Sequence, residues 1–176
     1  MLLERVVEAD YADVVALANL AYRGTGRQEG EAASWNIEAG LVAGPRLMEE
    51  TLREDLIAKP ELLVWREEPG GPLMGTVWMQ NRGDGVWYLG LLTVRPDVQD
   101  RGLGRALLAA AESYARERGG QRITMTVLSG RDVLMGWYER RGYRKTGETQ
   151  PYPYGDGRLG RPLRDDLHFV VMEREI

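Results

Sequence analysis

The chain has 176 residues, with 23 Lys+Arg against 27 Asp+Glu and a formal charge of −4. That length suits one domain spanning 1–176, and a net negative chain without a Lys/Arg run lacks the electrostatic footprint of nucleic-acid binding. The absence of cysteine excludes disulfides, thiolate metal sites and a cysteine nucleophile, and Glu4, Arg5, Glu8 and Asp10 interrupt any apolar start, so neither a signal peptide nor a membrane span is drawn and a cytoplasmic protein without a membrane partner is expected.

In chain order, residues 2–7 read as a short strand, and Asp10 offers an N-cap to a helix whose apolar positions Tyr11, Val14, Val15, Ala18 and Tyr22 recur at helical spacing. The Gly-, Glu- and Ala-rich stretch 24–44 has weak periodicity and reads as a long loop or broken helix, of the kind that borders binding sites, before a helix over about 46–58. Strands at 61–67, 73–81 and 86–95 are separated by EPGGP and RGDG, turn-forming segments that predict an antiparallel meander.

The most periodic element is a helix over 102–118, with Leu103, Ala106, Leu107, Ala110, Ala111, Tyr114 and Ala115 on one stripe and Gly119-Gly120 as its stop. A strand, ITMTVL, leads to a helix near 131–141 that is expected to bury Val133, Leu134, Trp137 and Tyr138 and to end at Gly142. A strand at 143–149, the excursion PYPYGDGRLGRP and a last strand LHFVVME complete the chain.

Chemistry concentrates at Gln99-Asp100-Arg101-Gly102-Leu103-Gly104-Arg105-Ala106, between a strand and the start of the most periodic helix. Glycines at 102 and 104 carry no Cβ to block a ligand, so the free N–H groups of the first turn can face a phosphate with the helix dipole behind them. Gln99, Arg101 and Arg105 would add donors or positive charge at the rim. The competing reading is a plain loop-to-helix turn. No Walker loop is present, and the GxGxxG at Gly155, Gly157 and Gly160 follows no strand and precedes Pro162 where a helix should begin.

This segment resembles the cofactor signature of the GNAT superfamily of acetyl-CoA-dependent N-acetyltransferases, Arg/Gln-x-x-Gly-x-Gly/Ala after the family's fourth strand. Trp137-Tyr138-Glu139-Arg140-Arg141-Gly142-Tyr143 is similar to the family's aromatic-Tyr-x-x-x-Gly-aromatic block, and the two together cover about 86–145. The resemblance implies an α/β (α+β) fold, with a mixed, mostly antiparallel central sheet, helices on both faces, and fourth and fifth strands that splay around acetyl-CoA as cosubstrate, with no metal. It implies that the backbone at Leu92, Thr93 and Val94 holds the pantetheine arm, that the 101–106 amides hold the pyrophosphate, and that Tyr138 protonates the leaving thiolate. On its apolar stripe, Tyr138 reads equally as a core aromatic.

Arg131 stands where relatives often carry asparagine and becomes a candidate cofactor contact. The glutamate that some members use as base on the fourth strand has no counterpart here, leaving the base unassigned. Tyr22, Trp35, Glu38, Arg46, Tyr152 and Tyr154 are the candidate walls of the acceptor site, and His168 on the last strand reads as a half-buried structural histidine. The expected function is acetyl transfer from acetyl-CoA to a small-molecule or peptide amine, and the alternative is a non-catalytic acyl-CoA sensor or interaction module. A homodimer is one open assembly.

Overall fold

The structure, a computed structural model, describes residues 1–24, 37–38, 40–97 and 102–176. Seven strands form one sheet: β1 (Glu4–Arg5), β2 (Leu62–Trp65), β3 (Gly75–Gly83), β4 (Val86–Val94), β5 (Arg122–Leu128), β6 (Arg144–Pro151) and β7 (His168–Glu175). Their spatial order is β1-β2-β3-β4-β5-β7-β6, and every neighbouring pair is antiparallel except β4 with β5. The mixed α/β fold expected from the sequence is therefore present.

Four helices cover the sheet: α1 (Tyr11–Arg23), α2 (Glu49–Ala58), α3 (Leu103–Arg116) and α4 (Asp132–Glu139). Two apolar clusters mark its two faces. Leu107, Leu108, Ala111 and Ala115 of α3 and Leu134, Met135 and Tyr138 of α4 pack on Val77, Met79, Leu89, Leu92, Ile123 and Met125. Val14, Leu17, Ala18 and Ala21 of α1 and Leu52 of α2 pack on Leu62, Val64, Trp78 and Leu91. No helix among the described residues is long and apolar enough to cross a membrane.

Three local expectations need correction. Val133 is exposed, because α4 buries Leu134, Met135 and Tyr138 and Val133 lies on the opposite side of that stripe. On α3, Leu108 is buried and Ala106 is exposed, so the stripe is turned toward Gly104, Leu107, Leu108 and Ala111. Asp10 precedes α1 without capping it: its carboxylate accepts the Val7 N–H at 3.0 Å and pairs with Arg66 at 2.5 Å, which leaves no oxygen directed at the helix amides.

Strand β4 carries the feature that shapes the site. Thr76 pairs with Thr93 and Trp78 with Gly90, so Leu91 and Leu92 together oppose Val77, a bulge in which Leu91 has φ 47°. A leucine held in the left-handed region costs about 1 kcal/mol or more. In return the extra residue shifts the alternation of the strand by one, so that Leu89, Leu92 and Val94 share the face toward α3 and α4 while Leu91 faces α1 and α2.

Candidate active site

The ladder between β4 and β5 has three pairs, Val86↔Arg122, Trp87↔Ile123 and Tyr88↔Thr124, and ends there. Beyond Tyr88 the strands part, and a cavity of about 250 Å³ opens between Leu89–Leu92 on one side and Met125–Leu128 on the other. Leu134 and Tyr138 of α4 close one part of it, and Tyr22, Glu38, Arg46, Arg131 and Tyr152 line another. A second hollow of about 490 Å³, bounded by Trp78, Gln80, Arg82, Thr124, Glu148 and Gln150, shares Arg46, Tyr88, Gly90, Leu91, Gln150 and Leu159 with the first. The two hollows therefore adjoin where the strands part.

Tyr138 is 5% exposed and stands edge-on to Trp137 and Tyr143, with ring centroids 5.1 and 5.6 Å away. Burial pushes its phenol well above the ordinary tyrosine value, with Tyr22 adding to the rise and Arg131 opposing it. The group therefore stays protonated around neutral pH and presents a hydrogen-bond donor in the cavity wall. Tyr143 is also buried, and its hydroxyl donates to Glu112 at 2.9 Å. Glu112 accepts from Arg174 as well, at 2.9 Å, so the second motif block is braced against α3 and β7.

Gly102 precedes α3 with φ 74°, a conformation that favours glycine. Among the described residues the first bond of the helix runs from the Ala106 N–H to the Gly102 carbonyl, 3.2 Å, and the N–H groups of Leu103, Gly104 and Arg105 precede it in the first turn. Gly104 is buried, while Arg105 and Ala106 are exposed. Gln99 and Arg101 lie outside the described residues. Thr93 and Val94 are buried, and the Thr93 hydroxyl donates to the Leu91 carbonyl at 3.0 Å, across the bulge.

Of the residues considered as acceptor walls, Tyr22, Glu38, Arg46 and Tyr152 share the cavity. Trp35 lies outside the described residues. Tyr154 does not line either hollow: its hydroxyl donates to the Arg164 carbonyl at 2.8 Å and accepts the Leu167 N–H at 2.9 Å, bracing the last loop. His168 is half-buried and likewise lies outside both linings. Arg131 lines the same cavity and meets Glu38 at 3.3 Å, and Arg23 binds that carboxylate from α1.

Two contributors escaped the sequence reading. Tyr88 lines both hollows, with its hydroxyl 2.9 Å from Thr126 Oγ1; its position where the parallel pairing stops is the signal that marks it. Arg23 donates to the Gly44 carbonyl at 2.7 Å, to the Leu159 carbonyl at 2.6 Å and to Glu38, tying α1 to both loops at the rim. In sequence it reads as an ordinary cation in the last turn of a helix.

The parted strands and the buried tyrosine thus share one cavity, and a glycine-led helix start opens α3. The chain matches the Acetyltransferase (GNAT) family over residues 30–143 and belongs to that family. A mycothiol acetyltransferase of Cellulomonas flavigena is 29% identical over 109 residues, covering 54% of this chain and 31% of that protein, so the chain spans about a third of the length of this relative. The crystal structure of a ribosomal-protein-alanine N-acetyltransferase from Brucella melitensis superposes with TM-score 0.65 at 18% identity over all of both chains. That of the ribosomal-protein-S18-alanine N-acetyltransferase from Escherichia coli gives 0.68 at 19% identity, over 99% of this chain and 93% of that one. At these identities the two structures are shared folds.

The cleft fits the cosubstrate implied by the family. First-turn N–H groups at a helix start suit a pyrophosphate, and the gap beyond Tyr88 admits an extended arm between two strands.

Proposed function

We propose that the protein is an N-acetyltransferase that moves an acetyl group from acetyl-CoA to an amine by direct attack. The observation that carries this reading is Tyr138, a protonated buried phenol in the wall of the cavity between the parted strands β4 and β5. The mycothiol acetyltransferase that matches part of the chain supports the same class of reaction.

Acetyl-CoA, when bound, supplies a thioester whose acyl group can pass to a nitrogen without a covalent enzyme intermediate. The first-turn amides at Leu103, Gly104 and Arg105 would hold its phosphates, with Gly102 permitting the close approach. Tyr138 keeps a proton on its hydroxyl for the departing sulfur. The walls at Leu89–Leu92 and Met125–Leu128 exclude water from the point of transfer, which strengthens each polar contact there. The acceptor enters from the side of Tyr22, Arg46 and Tyr152. Arg23, Arg46 and Arg131 disfavour a further positive charge in this region and so favour the neutral, nucleophilic amine; the proton its nitrogen loses on acylation passes to water, and water returns one to Tyr138, so no dedicated base is required.

Two measurements test this. Saturating acetyl-CoA, at about 100 times its Kd, should stabilise the protein by about 2.7 kcal/mol and raise Tm by about 5–10 °C. Gly102→Val should shrink that shift and lower the stability of the free protein by about 1–2 kcal/mol, since a β-branched residue resists the left-handed conformation. A full shift in Gly102→Val would move the phosphate site elsewhere. A screen for CoA release across amines, from amino acids and polyamines to peptide amino termini, then tests turnover. Tight acetyl-CoA binding with no release in any class would favour a sensor on the same fold.

A further inference from the structure

The walls of the cavity carry an excess of positive charge. Glu38 is the one carboxylate that lines it among the described residues, and Arg23 and Arg131 both bind that carboxylate. Arg46 also lines the cavity, at the point where it meets the second hollow, and has no carboxylate partner among the described residues. Two guanidinium groups, those of Arg46 and Arg131, thus line the cavity with one carboxylate, which Arg23 also binds.

Arg46 is fixed in place. Its backbone N–H and that of Leu47 both donate to Asn19 Oδ1, at 2.6 and 3.2 Å, while Asn19 Nδ2 donates to the Leu47 carbonyl at 2.8 Å. Its guanidinium lies 5.0 Å from the centre of the Tyr22 ring, a stacking that orients the fork and leaves its N–H edge available.

Tyr152 supplies a second, independent observation. The residue is 5% exposed, it lines the same cavity, and its hydroxyl is buried without a hydrogen-bond partner among the described residues. Arg23, Glu38 and Arg46 lie close enough to act on it electrostatically. A buried hydroxyl left unpaired is costly, and its natural complement is a ligand atom that accepts a hydrogen bond. Beside an unpaired guanidinium, the group that satisfies both donors is an oxyanion.

We propose that the acceptor is a compact amine bearing an oxyanion, a carboxylate or phosphonate close to the nitrogen as in an amino acid, and that Arg46 and Tyr152 bind that oxyanion. The proposal rests on the reading of the protein as an amine acetyltransferase and names the substrate class. The oxyanion anchors the acceptor at the junction of the two hollows, its nitrogen turns toward the parted strands and Tyr138, and its remaining substituent extends past Trp78 and Gln150.

Binding and turnover are measured separately. The CoA-loaded protein is titrated calorimetrically with matched probes: the twenty amino acids, their decarboxylated amines, their carboxamides, and aminophosphonates. At least one carboxylate or phosphonate series should bind about 10- to 100-fold more tightly than its decarboxylated and amide counterparts. The two anionic arms distinguish the two forms of the oxyanion. Arg46→Ala should abolish that preference, and Arg46→Lys, a point charge without the fork, should keep part of it.

Tyr152→Phe should weaken the anionic probes about tenfold while Tm holds or rises, because the hydroxyl it removes has no partner among the described residues. A structural role for Tyr152 would give the opposite, a lower Tm with unchanged affinity. Equal binding of charged and decarboxylated probes, binding of none of them, or a preference that survives Arg46→Ala would overturn the proposal. Anionic probes that bind in an Arg46-dependent manner without releasing CoA from acetyl-CoA would sustain the oxyanion site and defeat the enzymatic reading.

Discussion

Tyr138→Phe should leave acetyl-CoA affinity intact and lower kcat by about 10- to 1000-fold. General acid catalysis is worth about 10²- to 10⁴-fold, and water reaching the sulfur recovers part of the loss. The substitution keeps the ring and its edge-on contacts with Trp137 and Tyr143. It removes only a hydroxyl that makes no hydrogen bond to the described residues, so stability should stay within about 0.5 kcal/mol of the parent. The defect belongs in kcat and not in KM, because the donor acts as the C–S bond breaks. Full activity in the variant, measured with any amine the enzyme accepts, would reduce Tyr138 to a packing residue.

The second large effect is on stability. Glu38→Gln has nearly the shape of the parent and removes the one charge that Arg23 and Arg131 share. The Glu38 side chain is 9% exposed and those of Arg23 and Arg131 are 5% and 7% exposed, so solvent does little to compensate the cations once the carboxylate is gone. Removing one partner of such a buried network costs about 3–5 kcal/mol, a large share of the 5–15 kcal/mol that stabilises a typical domain. Chemical denaturation reads the loss directly. Glu38→Asp keeps the charge and should recover part of it. A Glu38→Gln protein as stable as the parent would mean that the two arginines are neutralised by something other than Glu38.

Both predictions concern residues that the sequence presents very differently. Tyr138 is legible because it lies in a short block with fixed spacing on a helix whose period is plain, and the same holds for Gly102 at the start of α3. Those signals are local: a turn, a helix start and an apolar stripe are each decided by residues a few positions apart. The seven-strand sheet was legible for the same reason, through alternating runs separated by turn chemistry. The β4 bulge was not, since Gly90-Leu91-Leu92 reads as continuous strand and only pairing with Thr76 and Trp78 shows that one residue is extra.

The acceptor side is hidden for a related reason. Arg23 and Leu159 meet across 136 residues of sequence, and Arg131 and Glu38 across 93. No periodicity or motif carries information over such separations. Arg131 illustrates the consequence: its place relative to the tyrosine suggests a cofactor contact, and nothing local in the sequence announces the carboxylate 93 residues away that it also meets. Val133 illustrates a smaller failure, in which an apolar residue on an otherwise apolar helix lies on the solvent side because helical phase, not hydrophobicity alone, decides burial.

Arg23 fastens the rim of the acceptor site like a buckle, with one strap in the loop after α1 and another in the excursion before β7. The backbone ladder Val42↔Pro162 and Ala43↔Arg161 runs beside it, and Gly160 lies so close that a Cβ there would come within 2.5 Å of the Ala43 carbonyl. Under the proposed amine-acceptor role, this divides the pocket into frozen and editable letters. Arg23, Glu38 and Gly160 hold the frame itself, and mutating them loosens the fold before it changes the choice of substrate. Arg46, Tyr152 and Gln150 face the same space without fastening the frame, and a library confined to those three positions would alter preference while leaving the scaffold whole.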